Sequence, residues 1–106
     1  MKSNGIMVLT TVANTEQADK LINAVLENRL AACVQTQTIG SHYVWDGKVC
    51  NDQEVLLIIK STNEAYARLE RTIVAYHDYE VPQIVAVPIE AGYRPYLNWL
   101  KKNVSP

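Results

Sequence analysis

Residues 43–50 read YVWDGKVC, and this stretch decides how the chain folds. Asp46-Gly47 lies between two apolar and aromatic segments, and this dipeptide is the strongest short signal for a β-hairpin with a two-residue loop. Such a loop sets the register, so that Tyr43 faces Cys50 and His42 faces Asn51. Because side chains alternate along a strand, His42 and Cys50 then point to opposite faces and make a poor metal pair.

The predicted strands on both sides of this turn are unusually long. They extend from residue 30 or 31 to 45 and from 48 to 61, whereas strands in globular domains usually have about 5 or 6 residues. We therefore expect the hairpin to project beyond the core of its own chain. An alternative is a bend at Gly40 that folds the arm back over its own sheet.

The tip of this hairpin predicts an interface. It combines unpaired backbone groups with exposed apolar and aromatic side chains, a combination that favours association with a second chain. The predicted interface residues are Tyr43, Val44, Trp45 and Val49.

The segments outward from the hairpin show alternating strand and helix patterns. Residues 6–12 are β-branched and aliphatic, as in a buried strand, and residues 16–29 have apolar positions at helical spacing after a cap at Asn14 or Thr15. Thr62-Asn63-Glu64 is predicted to cap a second helix, residues 84–87 to form the last strand, and Pro95 to begin a short terminal helix with Tyr96, Trp99 and Leu100 on one face.

The order β α β β α β, followed by a helix, predicts an α+β fold. Two strand–helix units that pack on one sheet are typical of the ferredoxin-like split βαβ arrangement. With 106 residues, the chain has the length of one domain, residues 1–106, with a long protruding hairpin.

The composition excludes several classes of protein. A net charge of −1 lacks the positive surplus with which nucleic-acid binders neutralise phosphates. No apolar run is long enough to span a membrane, and residues 1–5 do not resemble a secretion signal. Two cysteines, Cys33 and Cys50, are too few for a disulfide framework. We predict a cytoplasmic protein that binds neither nucleic acid nor membrane and requires no cofactor.

Enzyme motifs are also absent. The chain has no Gly-rich phosphate loop, HExxH or serine-nucleophile context, and the residues after the first strand lack the arginine and glycines of an anion-binding loop. RNA recognition on this topology needs aromatic residues on the middle strands, where this chain has residues 55–59, VLLII. We therefore predict a protein that is not an enzyme.

A few side chains remain as candidates for a site. His77 follows the second helix, where it complements the helix dipole or contacts a ligand or metal. Glu54 and Lys60 on the long return strand are surface charges or the lining of a cleft between subunits. Tyr79 and Trp99 pack against the sheet or line that cleft. The ligand-cleft candidates are thus Glu54, Lys60, Tyr79 and Trp99.

Several stretches together resemble the CutA family of divalent-cation tolerance proteins over nearly the whole chain. They are residues 30–34 (LAACV), 43–48 (YVWDGK), 54–62, 77–82 (HDYEVP) and 96–100 (YLNWL). The resemblance implies a ferredoxin-like protomer, a homotrimer built through the hairpin arms, a role in tolerance to copper and other divalent ions, and no catalytic activity.

The resemblance also implies metal ligands that this chain has partly lost. The family's proposed copper ligands are a cysteine in the first strand and two adjacent histidines after the second helix; here these positions are Thr10 and Tyr76-His77. A hydroxyl and a phenol are poor copper ligands. We therefore predict weak binding of copper or another divalent cation, with His77 as the ligand. The alternative hypotheses are a signalling trimer like the PII regulators, with a small ligand between subunits, and a trimeric scaffold for other proteins.

Overall fold

A computed structural model describes residues 4–105. The chain forms β1 (Gly5–Val12), α1 (Thr15–Glu27), β2 (Cys33–Trp45), β3 (Lys48–Thr62), α2 (Tyr66–Tyr76), β4 (Ile84–Pro88) and α3 (Arg94–Lys102). This order, βαββαβ with a terminal helix, confirms the predicted fold class. The four strands form one antiparallel sheet in the order β2-β3-β1-β4, so β3 is inserted between the two strands that α1 connects.

The register of the hairpin is the one predicted. Tyr43 pairs with Cys50 and His42 with Asn51. Asp46 and Gly47 both have positive φ, 53° and 75°, which a tight hairpin loop of type I′ requires at its two central positions. His42 and Cys50 therefore lie on opposite faces of the arm.

Helix α1 ends two residues earlier than predicted. Its N-terminus is capped as expected, since Asn14 accepts a hydrogen bond from the Gln17 amide at 2.9 Å. At the other end Arg29 adopts a left-handed φ of 54°. The Leu30 amide then donates to the Val25 carbonyl at 3.0 Å and the Arg29 amide to Leu26 at 3.1 Å, a Schellman closure in which arginine stands where glycine is usual.

The predicted cap of α2 is wrong. Thr62 is the last residue of β3, and the chain passes through a turn in which the Ala65 amide donates to the Thr62 carbonyl at 3.2 Å. The helix begins only at Tyr66, and no side chain caps it. Strand pairing with Gly5 holds Thr62 in extended geometry, so its hydroxyl is not placed as a cap.

In the terminal helix the predicted face is only partly buried, and Leu97 beside it is buried as well. Leu97 and Leu100 are buried, whereas Tyr96 and Trp99 are partly exposed and stack on each other with ring centroids 5.7 Å apart. Leu100 joins Ala65 and Val104 in a small cluster at one end of the sheet.

The main core lies between the sheet and helices α1 and α2. Alternate residues of β1 and β3 face these helices and are completely buried, and Leu21 and Val25 of α1 with Leu69 and Ile73 of α2 complete the layer. The buried strand residues are Val8, Val12, Leu57 and Ile59. Burial of one such side chain stabilises the fold by about 2 kcal/mol.

The opposite face of the sheet is apolar but open. Leu9 lies beside Ile58 on one side and Val85 on the other. These residues, with Met7, Leu56 and Val87, are only partly buried, and Val85 remains 46% exposed. Helices α1 and α2 pack on the other side, so in the described part of the chain these residues of the open face stay partly exposed.

Candidate functional site at the base of the hairpin

From Ile39 and Glu54 to the turn, the hairpin consists of two strands only, and we call residues 39–54 the arm. The last residue of β1, Val12, pairs with Val55, so residues 48–54 of β3 have only β2 as a neighbour within the described chain. Glu54 faces Ile39 at this point and is nonetheless 8% exposed. A buried carboxylate needs hydrogen-bond donors to offset its lost hydration.

The donor to Glu54 comes from the loop between α2 and β4, residues 77–83. The hydroxyl of Tyr79 donates to Glu54 Oε2 at 2.7 Å. Asp78 in the same loop accepts a hydrogen bond from the side-chain amide of Gln17 in α1. The loop is thus tied to the first turn of α1 and to the base of the arm.

His77 is held at both ring nitrogens. Its Nε2 lies 2.7 Å from the carbonyl oxygen of Thr11, which only accepts, so Nε2 carries the proton. Nδ1 accepts a hydrogen bond from the Tyr79 amide at 3.1 Å. The ring centroids of His77 and Tyr79 lie 4.7 Å apart. The Thr11–His77–Tyr79–Glu54 chain of contacts therefore joins β1, the loop and the arm.

A second tyrosine–carboxylate pair lies farther along the arm. Tyr43 on β2 donates to the carboxylate of Asp52 on β3. Asp52 faces Ser41 in the register, so Tyr43 and Asp52 are diagonal neighbours on one face of the hairpin. Asp52 and Glu54 share that face, because they are two residues apart on one strand.

Both tyrosines hold their protons more tightly than free tyrosine does. Burial of the ring and the hydrogen bond to Glu54 raise the pKa of Tyr79 above its ordinary value. The hydrogen bond to Asp52 raises the pKa of the exposed Tyr43 from 10.0 to about 12. In both pairs the carboxylate accepts from a neutral phenol at neutral pH.

We expect Tyr79→Phe to lower the free energy of unfolding by about 2 kcal/mol at neutral pH, because the buried Glu54 carboxylate loses its donor. The raised pKa of Tyr79 contributes stability that is present below pH about 10 and is lost as the pH rises toward the folded-state value. Urea unfolding from neutral pH to about pH 11 checks both effects.

The matched control is Tyr93→Phe, since Tyr93 is largely exposed at the start of α3. It should leave stability within about 0.5 kcal/mol of the wild type. Equal stability of Tyr79→Phe and wild type at neutral pH would show that the Tyr79–Glu54 contact contributes nothing.

The other two cleft candidates lie farther along the chain, since Lys60 is on β3 and Trp99 is in α3. Lys60 donates to Gln35 Oε1 at 2.9 Å, and its Nζ lies 5.8 Å from the Tyr96 ring centroid. Trp99 stacks on that same Tyr96. Lys60 lies six residue steps along the strand from Glu54, roughly 20 Å. The described chain therefore holds two separate groups of candidate residues, Glu54 with Tyr79 and Lys60 with Tyr96 and Trp99.

The positions implied as metal ligands do not form a closed site in one protomer. Thr10 is fully buried on the helix-covered face, and Tyr76 lines a groove between α1 and α2, whereas the His77 ring contacts the Thr11 carbonyl. Within residues 4–105, no three His, Cys, Asp or Glu side chains are arranged to hold a metal ion. His77 as a metal ligand stays a prediction.

The buried hydroxyl of Thr10 destabilises the fold. Its hydroxyl oxygen is buried and has no hydrogen-bond partner among the described residues. A buried hydroxyl without a partner costs about 1 to 3 kcal/mol. We expect Thr10→Val, which has nearly the same shape, to raise the free energy of unfolding by about 1 kcal/mol or more in urea unfolding. Thr38→Val on the exposed part of β2 is the control, and an equal gain there would contradict this account of Thr10.

Comparison with known proteins places this arrangement in a family. The family described as CutA1 divalent ion tolerance protein matches residues 6–103. A divalent-cation tolerance protein CutA from Thermus thermophilus is 46% identical over 98 residues, which cover 92% of this chain and 95% of that protein.

The chain belongs to the CutA1 family.

Solved CutA1 structures have the same fold. That of the T. thermophilus protein superimposes with a TM-score of 0.92 at 44% identity, covering 95% of this chain and 99% of the other. That of CutA1 from Oryza sativa has a TM-score of 0.93 at 39% identity, covering 98% and 96%. The chain spans 54% of a chloroplastic CutA protein from Arabidopsis thaliana.

The CutA1 family is described by ion tolerance rather than by a reaction, in agreement with the absence of enzyme motifs. Within the described residues no helix has the length and apolar character needed to cross a membrane.

Several contacts of the site were not predicted from the sequence. The Tyr43–Asp52 pair follows from the hairpin register, because diagonal neighbours on one face contact each other. The Thr11 carbonyl and the Gln17–Asp78 contact have no signal in the sequence, since a backbone oxygen has no residue identity and Gln17 reaches a loop 61 positions away.

Proposed function

We propose that this CutA1 protein acts as a cytoplasmic homotrimer in tolerance to divalent cations such as copper, and that it binds such a cation weakly through His77. The observation that supports a trimer is the two-stranded arm. The molecule measures 44 × 26 × 21 Å, and the arm formed by β2 and β3 extends past the end of β1, the next strand in the sheet.

The arm exposes surface that a second copy of the chain would cover. Val44 is 70% exposed, Trp45 51% and Val49 83%. From residue 48 to 54, β3 has a neighbouring strand on one side only within the described chain, and β2 is an edge strand along its whole length. Unpaired edges beside apolar side chains favour pairing between chains.

The open face of the sheet supports the same assembly. It is lined by partly buried aliphatic residues, which include Leu9, Ile58 and Val85. Soluble monomers rarely leave large contiguous apolar patches in water. A trimer that buries the arms against neighbouring sheets would cover both the tip and this face.

His77 has the geometry of a weak metal ligand. A histidine that binds a metal usually donates its other ring N–H to a carbonyl or carboxylate, as His77 Nε2 does to Thr11. The remaining nitrogen, Nδ1, holds a lone pair that now accepts from the Tyr79 amide. Metal binding at Nδ1 would release that hydrogen bond, which costs about 1 kcal/mol and weakens the site.

Titration calorimetry of Cu(II) tests this role. We expect His77→Ala and His77→Gln to abolish or strongly reduce the heat of binding; glutamine retains a donor for the Thr11 carbonyl but lacks the imidazole. The exposed His42 in the arm supplies the control His42→Ala, which should bind as the wild type does. Equal heats for wild type and both His77 variants would exclude His77 from the site.

A second candidate function is the binding of a small ligand between subunits, as in signalling trimers of the PII type. The observation that favours it is the presence of two separate groups of candidate residues in one chain, one around Glu54 and one around Lys60, which would each supply half of such a site. The Glu54–Tyr79 half and the Lys60–Tyr96–Trp99 half are too far apart in one protomer to bind the same small molecule, but a trimer would bring halves of different subunits together.

Native mass spectrometry of protein purified from cells separates the two functions. A bound organic molecule of defined mass that is absent from Lys60→Met would favour the ligand-binding trimer. A trimer without such a mass, whose Cu(II) binding depends on His77, would favour the metal-tolerance role.

A further inference from the structure

A polar groove lies on the helical layer, away from the hairpin and the open face of the sheet. It has a volume of about 410 Å³ and runs between the end of α1 and α2. From α2 it is lined by Arg68, Arg71, Thr72, Ala75 and Tyr76; Asn28 and Leu30 close the other side. This volume falls in the range of small-molecule sites.

The charged residues that line the groove are positive. Among the residues that the structure describes, two arginines line it and no Asp or Glu does, although the chain as a whole has a net charge of −1. Arg68 donates to the Ser105 carbonyl at 2.8 Å, which fixes its position. The side chain of Arg71 has no hydrogen-bond or ion-pair partner within residues 4–105. The acidic residue between them, Glu70, accepts from the Tyr66 hydroxyl at 2.7 Å.

We propose that this groove binds a phosphate monoester. A phosphate monoester carries about two negative charges at neutral pH, which two guanidinium groups neutralise. The planar fork of arginine fits phosphate oxygens with two parallel hydrogen bonds. Thr72 and Tyr76, which also line the groove, carry neutral hydroxyls, whereas the side-chain amide of Asn28 already donates to the Ala24 carbonyl at 2.7 Å.

The groove also has an apolar surface that would contact the organic part of the ester. The side chains of Leu30 and Ala75 and the ring of Tyr76 give the groove its apolar surface. Tyr76 is 45% exposed, so its ring is accessible to an aromatic or aliphatic group. The site therefore favours an ester with an apolar substituent over inorganic phosphate. The groove shares none of its lining residues with the contacts of His77, so this proposal does not depend on metal binding.

The probe for this site is phenyl phosphate, measured by NMR titration of the ¹⁵N-labelled full chain at low ionic strength. We expect saturable binding with shifts centred on Asn28 and on residues 68–76. Arg71→Gln should weaken the affinity about tenfold or more, because one charge-assisted contact is lost. Benzoate, which has the same ring and a single charge, should bind about tenfold more weakly.

The matched control is Arg94→Gln, since Arg94 is exposed at the start of α3 and lies outside the groove. Its affinity for phenyl phosphate should stay within about twofold of the wild type. The proposal is overturned by an absence of saturable shifts in the wild type, by equal weakening in Arg71→Gln and Arg94→Gln, or by equal affinities for benzoate and phenyl phosphate.

Discussion

The double variant Val44→Lys with Val49→Glu is expected to be a monomer under conditions in which the wild type forms the proposed trimer. Val44 and Val49 face each other across the tip of the arm and are the most exposed apolar pair of the hairpin. The new lysine and glutamate attract each other across the strands, so the hairpin itself is retained. An interface that buries these charges loses several kcal/mol for each copy, because charged groups must give up their water.

The control places the same charge on another exposed valine. Val74 lies on α2 and is 55% exposed, so Val74→Lys should remain a trimer by sedimentation velocity. A double variant that still sediments as the wild type does would show that the arm tip is not in the interface.

Leu57→Ala is expected to produce a large loss of stability. Leu57 is completely buried in β3 and lies between Thr10 of β1 and Thr36 of β2 in the middle of the sheet. Truncation removes buried methyl groups and leaves a cavity, which together cost about 3 kcal/mol. The free energy of unfolding in urea checks this at one fixed chain concentration, because unfolding of an oligomer depends on concentration.

Leu26→Ala is the matched control for this core substitution. Leu26 has the same side chain but is 40% exposed on α1. Its replacement should cost about 1 kcal/mol or less. Equal losses in the two variants would mean that the sheet–helix layer is not the main source of stability.

The hairpin register was predictable from the sequence because a two-residue loop leaves one pairing. Asp46 and Gly47 both tolerate positive φ, and their position between two apolar segments fixed every pair from Cys33–Lys60 to Trp45–Lys48. The fold class followed from the order of the elements, because alternation of strand and helix patterns around one hairpin has few compact solutions.

Helix ends were less predictable because local signals were absent or misleading. Arg29 takes the left-handed position that glycine normally marks, so apolar spacing extended the predicted α1 too far. Thr62 resembles a cap in sequence, but strand pairing with Gly5 holds it in β3. In both cases tertiary contacts outweigh the local preference of the residue.

His77, Glu54 and Tyr79 were chosen by residue type and position, and the structure joins them through Tyr79, whereas their role in binding stays a prediction. Lys60 and Trp99 contact Tyr96 instead, because distance along β3 separates Lys60 from Glu54. The groove of Arg68 and Arg71 is visible only after α2 packs beside the end of α1.

Sedimentation equilibrium of the wild-type chain at micromolar concentration tests the proposed assembly most directly. The account predicts a single species with three times the 11.9 kDa mass of one chain. A species with the mass of one chain would contradict it, because the exposed arm and the open face of the sheet would then have no partner.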